Sequence, residues 1–288
     1  MGYPSDLTDA QWVVVEPIVN YKSEEELYKG GRPRTVDLRS VVNALLYMDR
    51  TGVQWRYIPS DFPPSGTIRY YFDKWTWDGT WERLNTALRE QVREADGRNA
   101  APTAAIIDSQ TVKTTEAAGG ERGFDGGKKV RGRKRHILVD TNGNLLRVVV
   151  HRADLQDRDG ADYVFEDITD QYPELVKVWA DQGYSGDLGA DLLDQYDIIL
   201  EIVEKLPEQH GFVVLPRRWV VERSFGWLGW YRRLSKDYEQ RVEYSETWVY
   251  IASISRMLRK LHPNTDEERP YIRKKKFISK DNISSLCA

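Results

Sequence analysis

Apolar positions recur with a helical period through the first hundred residues and as short strand-like runs after them. In "LTDAQW" Thr8 and Gln11 have the spacing of a capping box, which predicts a helix from about Asp9. "GGRPR" (30–34) reads as a loop. Leu38, Val41, Val42, Leu45, Leu46 and Met48 then follow at helical spacing, and Gly52 closes that helix. "PSDFPPSG" breaks the chain, Ser65 is placed to cap "GTIRYYFDKW", and "WDGTWERLNTALREQVREA" supplies a further turn and helix. Short helices on tight connections have the grammar of a helix-turn-helix unit, so residues 1–97 are expected to form an all-α domain that binds DNA. Their aromatic cluster, Trp55 through Trp81, is expected in the core.

"DGRNAAP" (96–102) reads as a linker, and the pattern changes beyond it. "TAAIID" is a strand that Asp108 is expected to close. "KRHILVD" and "LLRVVVHRA" flank Asn142-Gly143, which predicts a hairpin on a tight primed turn. A helix near Asp157, the strand "LVKVWAD", the helix "GDLGADLLDQY" and the strand "DIILEIVE" follow. A long helix, "RRWVVERSFGWLGWYRRLS", and a packing helix, "SETWVYIASISRMLRKL", complete the series. This order predicts a mixed sheet covered by helices over residues 103–262. Residues 263–288 are polar and basic and are expected to lack order.

Composition narrows the class. A chain of 288 residues with 40% hydrophobic and 30% charged positions is globular in type. It has no apolar run near the roughly 18 residues of a membrane helix and no signal-peptide pattern at its N-terminus. The one cysteine, Cys287, excludes an intramolecular disulfide and a cysteine-built zinc site, and it suits a cytoplasmic setting. Four histidines argue against a histidine metal cluster. The net charge of −3 hides a segregation: residues 140–210 hold 17 acids against 5 bases. "KKVRGRKR" (128–135) and "PRRWVVERSFGWLGWYRRLSK" (216–236) hold six bases each, with one acid between them, Glu222. Two such runs point to a polyanion partner rather than to solvated faces.

Three carboxylates stand out. Asp108 and Asp181 each follow an apolar strand, where a turn cap is the ordinary role and a metal site the sharper one. Two acids brought together at strand ends repel unless a cation joins them, and hard oxygen donors suit Mg²⁺ or Mn²⁺. Glu222 is expected to share a helix face with Arg218, Gly226, Gly229 and Arg233. Helical glycines cost about 1 kcal/mol each relative to alanine, so something must approach the backbone there, either a packed element or a DNA strand. An i, i+4 pair of Arg218 with Glu222 also reads as a surface salt bridge. Asp157 and Asp159 are read as helix-start caps.

The ordered set "IIDSQTVK", "GRKRHILVDTNG", "HRADLQDRDGA", "WADQGYSG" and "RRWVVERSFGWLGWYRRLSKDYE" resembles the DDE transposases of bacterial insertion sequences, specifically insertion-sequence family five. "LTDAQW", "GRPR" and "LRSVVNALLYMDRTGVQWRYIP" resemble the helical domain that precedes the catalytic core there. The resemblance implies an α/β fold with an RNase H-like mixed-sheet core. It implies Asp108, Asp181 and Glu222 as catalytic residues holding two Mg²⁺ or Mn²⁺ ions. Hydrolysis at an element end would free a 3′-OH, which then attacks target DNA. Arg218 matches the signature arginine of the family's helix. The base expected seven or eight positions after Glu222 is replaced by Gly229 and Trp230, leaving Arg232 or Arg233 to substitute. Lys113, Lys128, Lys129, Arg131, Arg133, Lys134, Arg135, His136, Arg218, Arg232 and Arg233 are expected at DNA, with the run 128–135 in a glycine-broken loop, and Trp219 is expected to stack on a base. The partners implied are double-stranded DNA and a second copy of the chain, with no membrane and no nucleotide cofactor. A DNA-binding regulator with a degenerate site and a nuclease that cuts without joining are the rival readings. A sugar hydrolase would not need the basic runs.

Overall fold

The computed structural model describes residues 2–21, 35–116, 118–203 and 217–263. The "GGRPR" loop and the tail beyond Pro263 lie outside these residues. Helix α1 (Asp9–Val19) opens on the expected box: Gln11 N–H donates to Thr8 Oγ1, and Thr8 N–H donates to Gln11 Oε1. Helix α2 (Leu38–Thr51) is capped by Asp37 and ends on Gly52 at φ +72°, a left-handed position that favours glycine. Helix α3 (Ser65–Trp77) starts at Ser65 rather than being capped by it, and α4 (Thr80–Ala95) follows.

Strand β1 (Ala104–Lys113) is the hub of a six-stranded mixed sheet. It runs antiparallel to β3 (Val130–Asp140), which pairs antiparallel with the short β2 (Gly123–Asp125) and with β4 (Leu145–Arg152). On its other side β1 runs parallel to β5 (Lys177–Ala180), and β5 runs parallel to β6 (Ile199–Ile202). The run 128–135 is therefore not a loop: from Val130 it is the start of β3, held between β1 and the β2/β4 side. Helices α5 (Asp157–Phe165), α6 (Ile168–Gln171) and α7 (Leu188–Tyr196) cover one face. Helices α8 (Trp219–Leu228) and α9 (Val242–Leu261) cover the other. Alternate residues feed the two layers, Ala105, Ile107 and Leu138 to one and Ile106, Ile137 and Val139 to the other.

Two local expectations are corrected. The β3–β4 turn is not primed. Gly143 N–H donates to Asp140 O and only Gly143 has positive φ, at +80°, while Asp140 Oδ1 accepts from the N–H groups of Asn142 and Asn144. Asp140 itself is buried and paired with Arg93 at 2.9 Å, so the acid fixes the turn in place of Asn142. The long helix stops at Leu228, with Gly229 as its C-cap. Tyr231 is extended, and Arg232–Ser235 form a single 3₁₀ turn that points Arg233 inward at Glu239, 2.5 Å away.

The N-terminal helices share one hydrophobic core with the α8/α9 face of the sheet. Leu45, Phe72, Trp81 and Leu88 join Ile137, Val148, Val221 and Trp248 in a single buried cluster. Polar ties cross the same boundary: Asn85 Nδ2 donates to Leu145 O, and Ser253 Oγ donates to Asn85 Oδ1. Among the described residues no helix is long and apolar enough to cross a membrane.

Candidate catalytic centre

The strand register brings the two aspartates together. Ala104, Ala105 and Ile106 face Lys177, Val178 and Trp179, so the same register carried two residues further sets Asp108 beside Asp181. Asp108 does not close its strand, as the sequence suggested. β1 continues to Lys113 because β3 keeps pairing with it as far as Gly132. It is β5 that stops, at Ala180, and Asp181 Oδ1 then accepts from Gly183 N–H at 2.8 Å to fix the exit turn. Asp108 has the parity of Ile106, so it faces the α8 layer.

Glu222 arrives on the first turn of α8, which packs on β1 through its buried Val221 and Phe225 face. One atom measures the convergence. Arg218 Nη2 lies 3.4 Å from Asp181 Oδ2, 3.8 Å from Asp108 Oδ2 and 3.8 Å from Glu222 Oε1. Three acids separated by 73 and 41 residues of chain thus surround a single nitrogen. The Arg218–Glu222 pair is one edge of this cluster rather than an isolated surface salt bridge. Among the described residues no three acids, histidines or cysteines close tightly enough on one point to hold a metal ion in this conformation. The guanidinium holds that centre instead.

The centre is strained electrostatically. The Asp108 side chain is 17% exposed, and its carboxyl is pushed up to about 6, chiefly by burial and then by the charge of Asp181. The Ser109 N–H, Arg218 and Lys128 pull the other way. A cation other than the guanidinium would relieve the same repulsion. The donors, three carboxylates without sulfur or imidazole, are the hard oxygen set that Mg²⁺ and Mn²⁺ accept. The residues present therefore fit such ions.

The residues expected at DNA divide into two groups. Lys113, Lys128, Lys129, Arg131 and Arg232 are exposed, and Trp219 is 41% exposed. Lys128 and Lys129 form the β2–β3 turn, with Lys128 near enough to act on Asp108. Arg133, Lys134, Arg135, His136 and Arg233 are instead buried. Arg133 pairs with Asp237 and Arg233 with Glu239. Lys134 pairs with Asp157, and Arg135 donates to Leu234 O. His136 donates from Nδ1 to His151 Nε2 at 2.6 Å, since His151 Nδ1 must donate to Arg152 O. These five are committed to partners inside the fold, and of them Arg135 also lines a cleft beside the end of α8. β3 is covered on both sides, so its charges are matched inside the fold. Arg233 does not lie on the α8 helix with Glu222, because the helix ends five residues earlier.

The space over Gly226 is open: a Cβ there would meet nothing within 4 Å among the described residues. Among the described residues no packed element accounts for that glycine. Beside the same end of α8, a cleft of about 340 Å³ is lined by Gln110, Lys113, Gly229, Ser235 and Lys236. Lys236 and Gln110 lie inside the basic run 216–236 and the "IIDSQTVK" motif, but nothing in either pattern singles them out as cleft-lining residues. The larger cleft among the described residues, about 750 Å³ between α4 and β4, is lined by Glu82, Glu90, Glu166 and Glu246 together with Arg83 and Arg147, and so lacks the basic excess of a polyanion site.

Comparison with known proteins bears on these features. Residues 99–257 match the family "Transposase DDE domain", more than half of the chain, and residues 7–85 match the family "Putative transposase of IS4/5 family". The chain is 30% identical over 121 residues to the Burkholderia cepacia protein "Putative transposase for insertion sequence element IS402", an alignment covering 39% of this chain and 56% of that protein. It is 25% identical over 114 residues to the Burkholderia cepacia "Insertion element IS402 uncharacterized 16.2 kDa protein", covering 38% of this chain and 75% of the other. The chain thus spans about half the length of the first of these relatives. No solved structure matches it.

Proposed function

Because the chain belongs to the transposases with a DDE domain, we propose that it cuts DNA at the ends of an insertion element and joins the freed 3′-OH ends to target DNA. The convergence of Asp108, Asp181 and Glu222 on one nitrogen carries this reading. The strand order β4-β3-β1-β5-β6, antiparallel in its first three strands and parallel in its last three, supports an RNase H-like core. The three acids would hold two Mg²⁺ or Mn²⁺ ions. Such ions, when bound, supply an activated attacking oxygen and stabilise the leaving oxygen of an in-line displacement.

The chain's own residues position the rest. Arg218 balances the three acids in the ion-free protein. The bare backbone at Gly226 leaves room for a nucleic-acid strand beside Glu222. Exposed Lys113, Lys128, Lys129, Arg131 and Arg232 would contact phosphates, with Lys128 near enough to act on Asp108, and the part-exposed Trp219 ring would stack on a base. The helices of residues 1–97 would grip the duplex, and two copies would serve two ends.

Labelled element ends incubated with Mg²⁺ test the proposal: cleavage followed by joining is expected, and EDTA should stop both. Cleavage without joining, or binding alone, overturns it. The triple substitution of Lys128, Lys129 and Arg131 by alanine should leave the fold intact, since all three are exposed. It should weaken DNA binding and lower the slope of log K against log salt by about 2–3. An unchanged slope would remove the β2–β3 turn from the interface.

A further inference from the structure

The segment "QDRDG" (156–160) suggests helix-start caps, but Asp157 caps nothing. α5 is entered through Gln156 without a side-chain cap, and the Asp157 carboxylate turns back toward the sheet. Its Oδ1 accepts from Ser109 Oγ at 2.8 Å and from Lys134 Nζ at 2.8 Å. Lys134 Nζ also donates to Leu155 O at 2.6 Å, and its side chain is only 8% exposed. The second oxygen, Oδ2, faces the exit of β5. A Cβ at Gly183 would stand 3.3 Å from Asp157 Oδ2 and 2.9 Å from Asp181 Oδ1.

One carboxylate therefore reaches from the neighbour of Asp108 to the turn that carries Asp181. Glycine at 183 lets the two acids lie this close, since any side chain would wedge between them. The approach of α5 is fixed one turn further on: a Cβ at Gly160 would come within 2.5 Å of both the His136 and His151 rings. Tyr184 is fully buried, and its hydroxyl lies beside Ser109 without closing a hydrogen bond of good geometry. Lys134 neutralises Asp157. Without that partner, a further negative charge here would repel Asp108 and Asp181.

We propose that Asp157 is a positioning residue, which sets the separation of Asp108 and Asp181 by anchoring Ser109 on one side and the Gly183 turn on the other. This rests on the reading of the three acids as the ion-holding centre. Misplacement of about 1 Å in such a centre is enough for a 10²-fold loss of rate.

The test uses the full chain and three variants: Asp157→Asn, Ser109→Ala and the double variant Asp157→Asn/Lys134→Met. Mn²⁺ binding is followed by electron paramagnetic resonance, alongside DNA affinity in EDTA, thermal unfolding and end cleavage. Asp157→Asn should weaken Mn²⁺ binding about tenfold and lower the cleavage rate at saturating DNA about 10²-fold. DNA affinity and KM should hold within about twofold. Ser109→Ala should move the same two quantities less and in the same direction. It carries the test if Asp157→Asn does not fold. The double variant separates positioning from charge burial: it should regain thermal stability without regaining Mn²⁺ affinity. Wild-type Mn²⁺ binding in Asp157→Asn or Ser109→Ala, or its recovery in the double variant, overturns the proposal. Wild-type protein that binds Mn²⁺ but leaves DNA uncut would instead sink the transposition reading and leave the positioning result standing.

Discussion

Asp108→Asn is expected to abolish end cleavage and at the same time to make the ion-free protein more stable. On the proposed mechanism the loss follows from removing a carboxylate whose share in metal-assisted transition-state stabilisation would be several kcal/mol, on the order of 10³-fold or more in rate. The gain follows from the raised carboxyl, which stands at about 6 in the fold against a usual 3.8. The folded state holds this proton more tightly than the unfolded state. Its contribution to stability is complete below pH 3.8 and is lost as the pH rises through about 6. At pH 7.5 the ionised group costs the fold about 1–3 kcal/mol. The asparagine carries no charge and still accepts from the Ser109 N–H, so its unfolding midpoint should rise by several degrees at pH 7.5 and match wild type at pH 4. Calorimetry at the two pH values and a cleavage assay read both effects. Retained cleavage would remove Asp108 from the centre, and an unchanged midpoint would show that the site does not oppose its charge.

Arg133→Met is expected to destabilise the fold rather than to weaken DNA binding. Arg133 is fully buried, as is its partner Asp237 at 3.2 Å. Its Nε donates to Glu121 O at 2.7 Å, and its Nη groups donate to Glu239 O at 2.9 Å and Gln240 O at 3.1 Å. One guanidinium thus ties β3 to the segment that leads into α9. Breaking a buried pair leaves Asp237 charged without its partner, which costs about 3–5 kcal/mol. Urea titration should show a loss of that size. A variant of wild-type stability with lowered DNA affinity would return Arg133 to the nucleic-acid surface.

The two predictions mark where sequence reading succeeds and where it ends. Signals carried by neighbours in the chain were legible. The Thr8/Gln11 box starts α1 and Gly52 ends α2, because each is a local hydrogen-bond or backbone requirement. Asp108, Asp181 and Glu222 could be singled out because an acid after an apolar run, or among bases on a helix, breaks its local pattern, although Asp108 proves to lie within its strand and not at its end. Pairings across the fold were not legible. The run from Lys128 to Arg135 looks uniformly basic, yet Arg133 and Lys134 answer to Asp237 and Asp157, 104 and 23 residues away. Nothing near them in sequence announces those partners. β3 is buried on both faces, so it lacks the alternation that would sort inward from outward side chains. The end of α8 was missed for a similar reason, since the inward turn of Arg233 is fixed by Glu239 rather than by the helix itself.

The merged core of the N-terminal helices and the sheet also has a mechanical consequence. Trp248 and Phe72 stack at 4.8 Å in the middle of it, so there is no slack between the two halves. If the helices seize a duplex, the scissile bond falls at a distance dictated by packing, as on a fixed gauge. Lengthening the "DGRNAAP" connection should therefore not shift the cut along the DNA, as paying out a tether would.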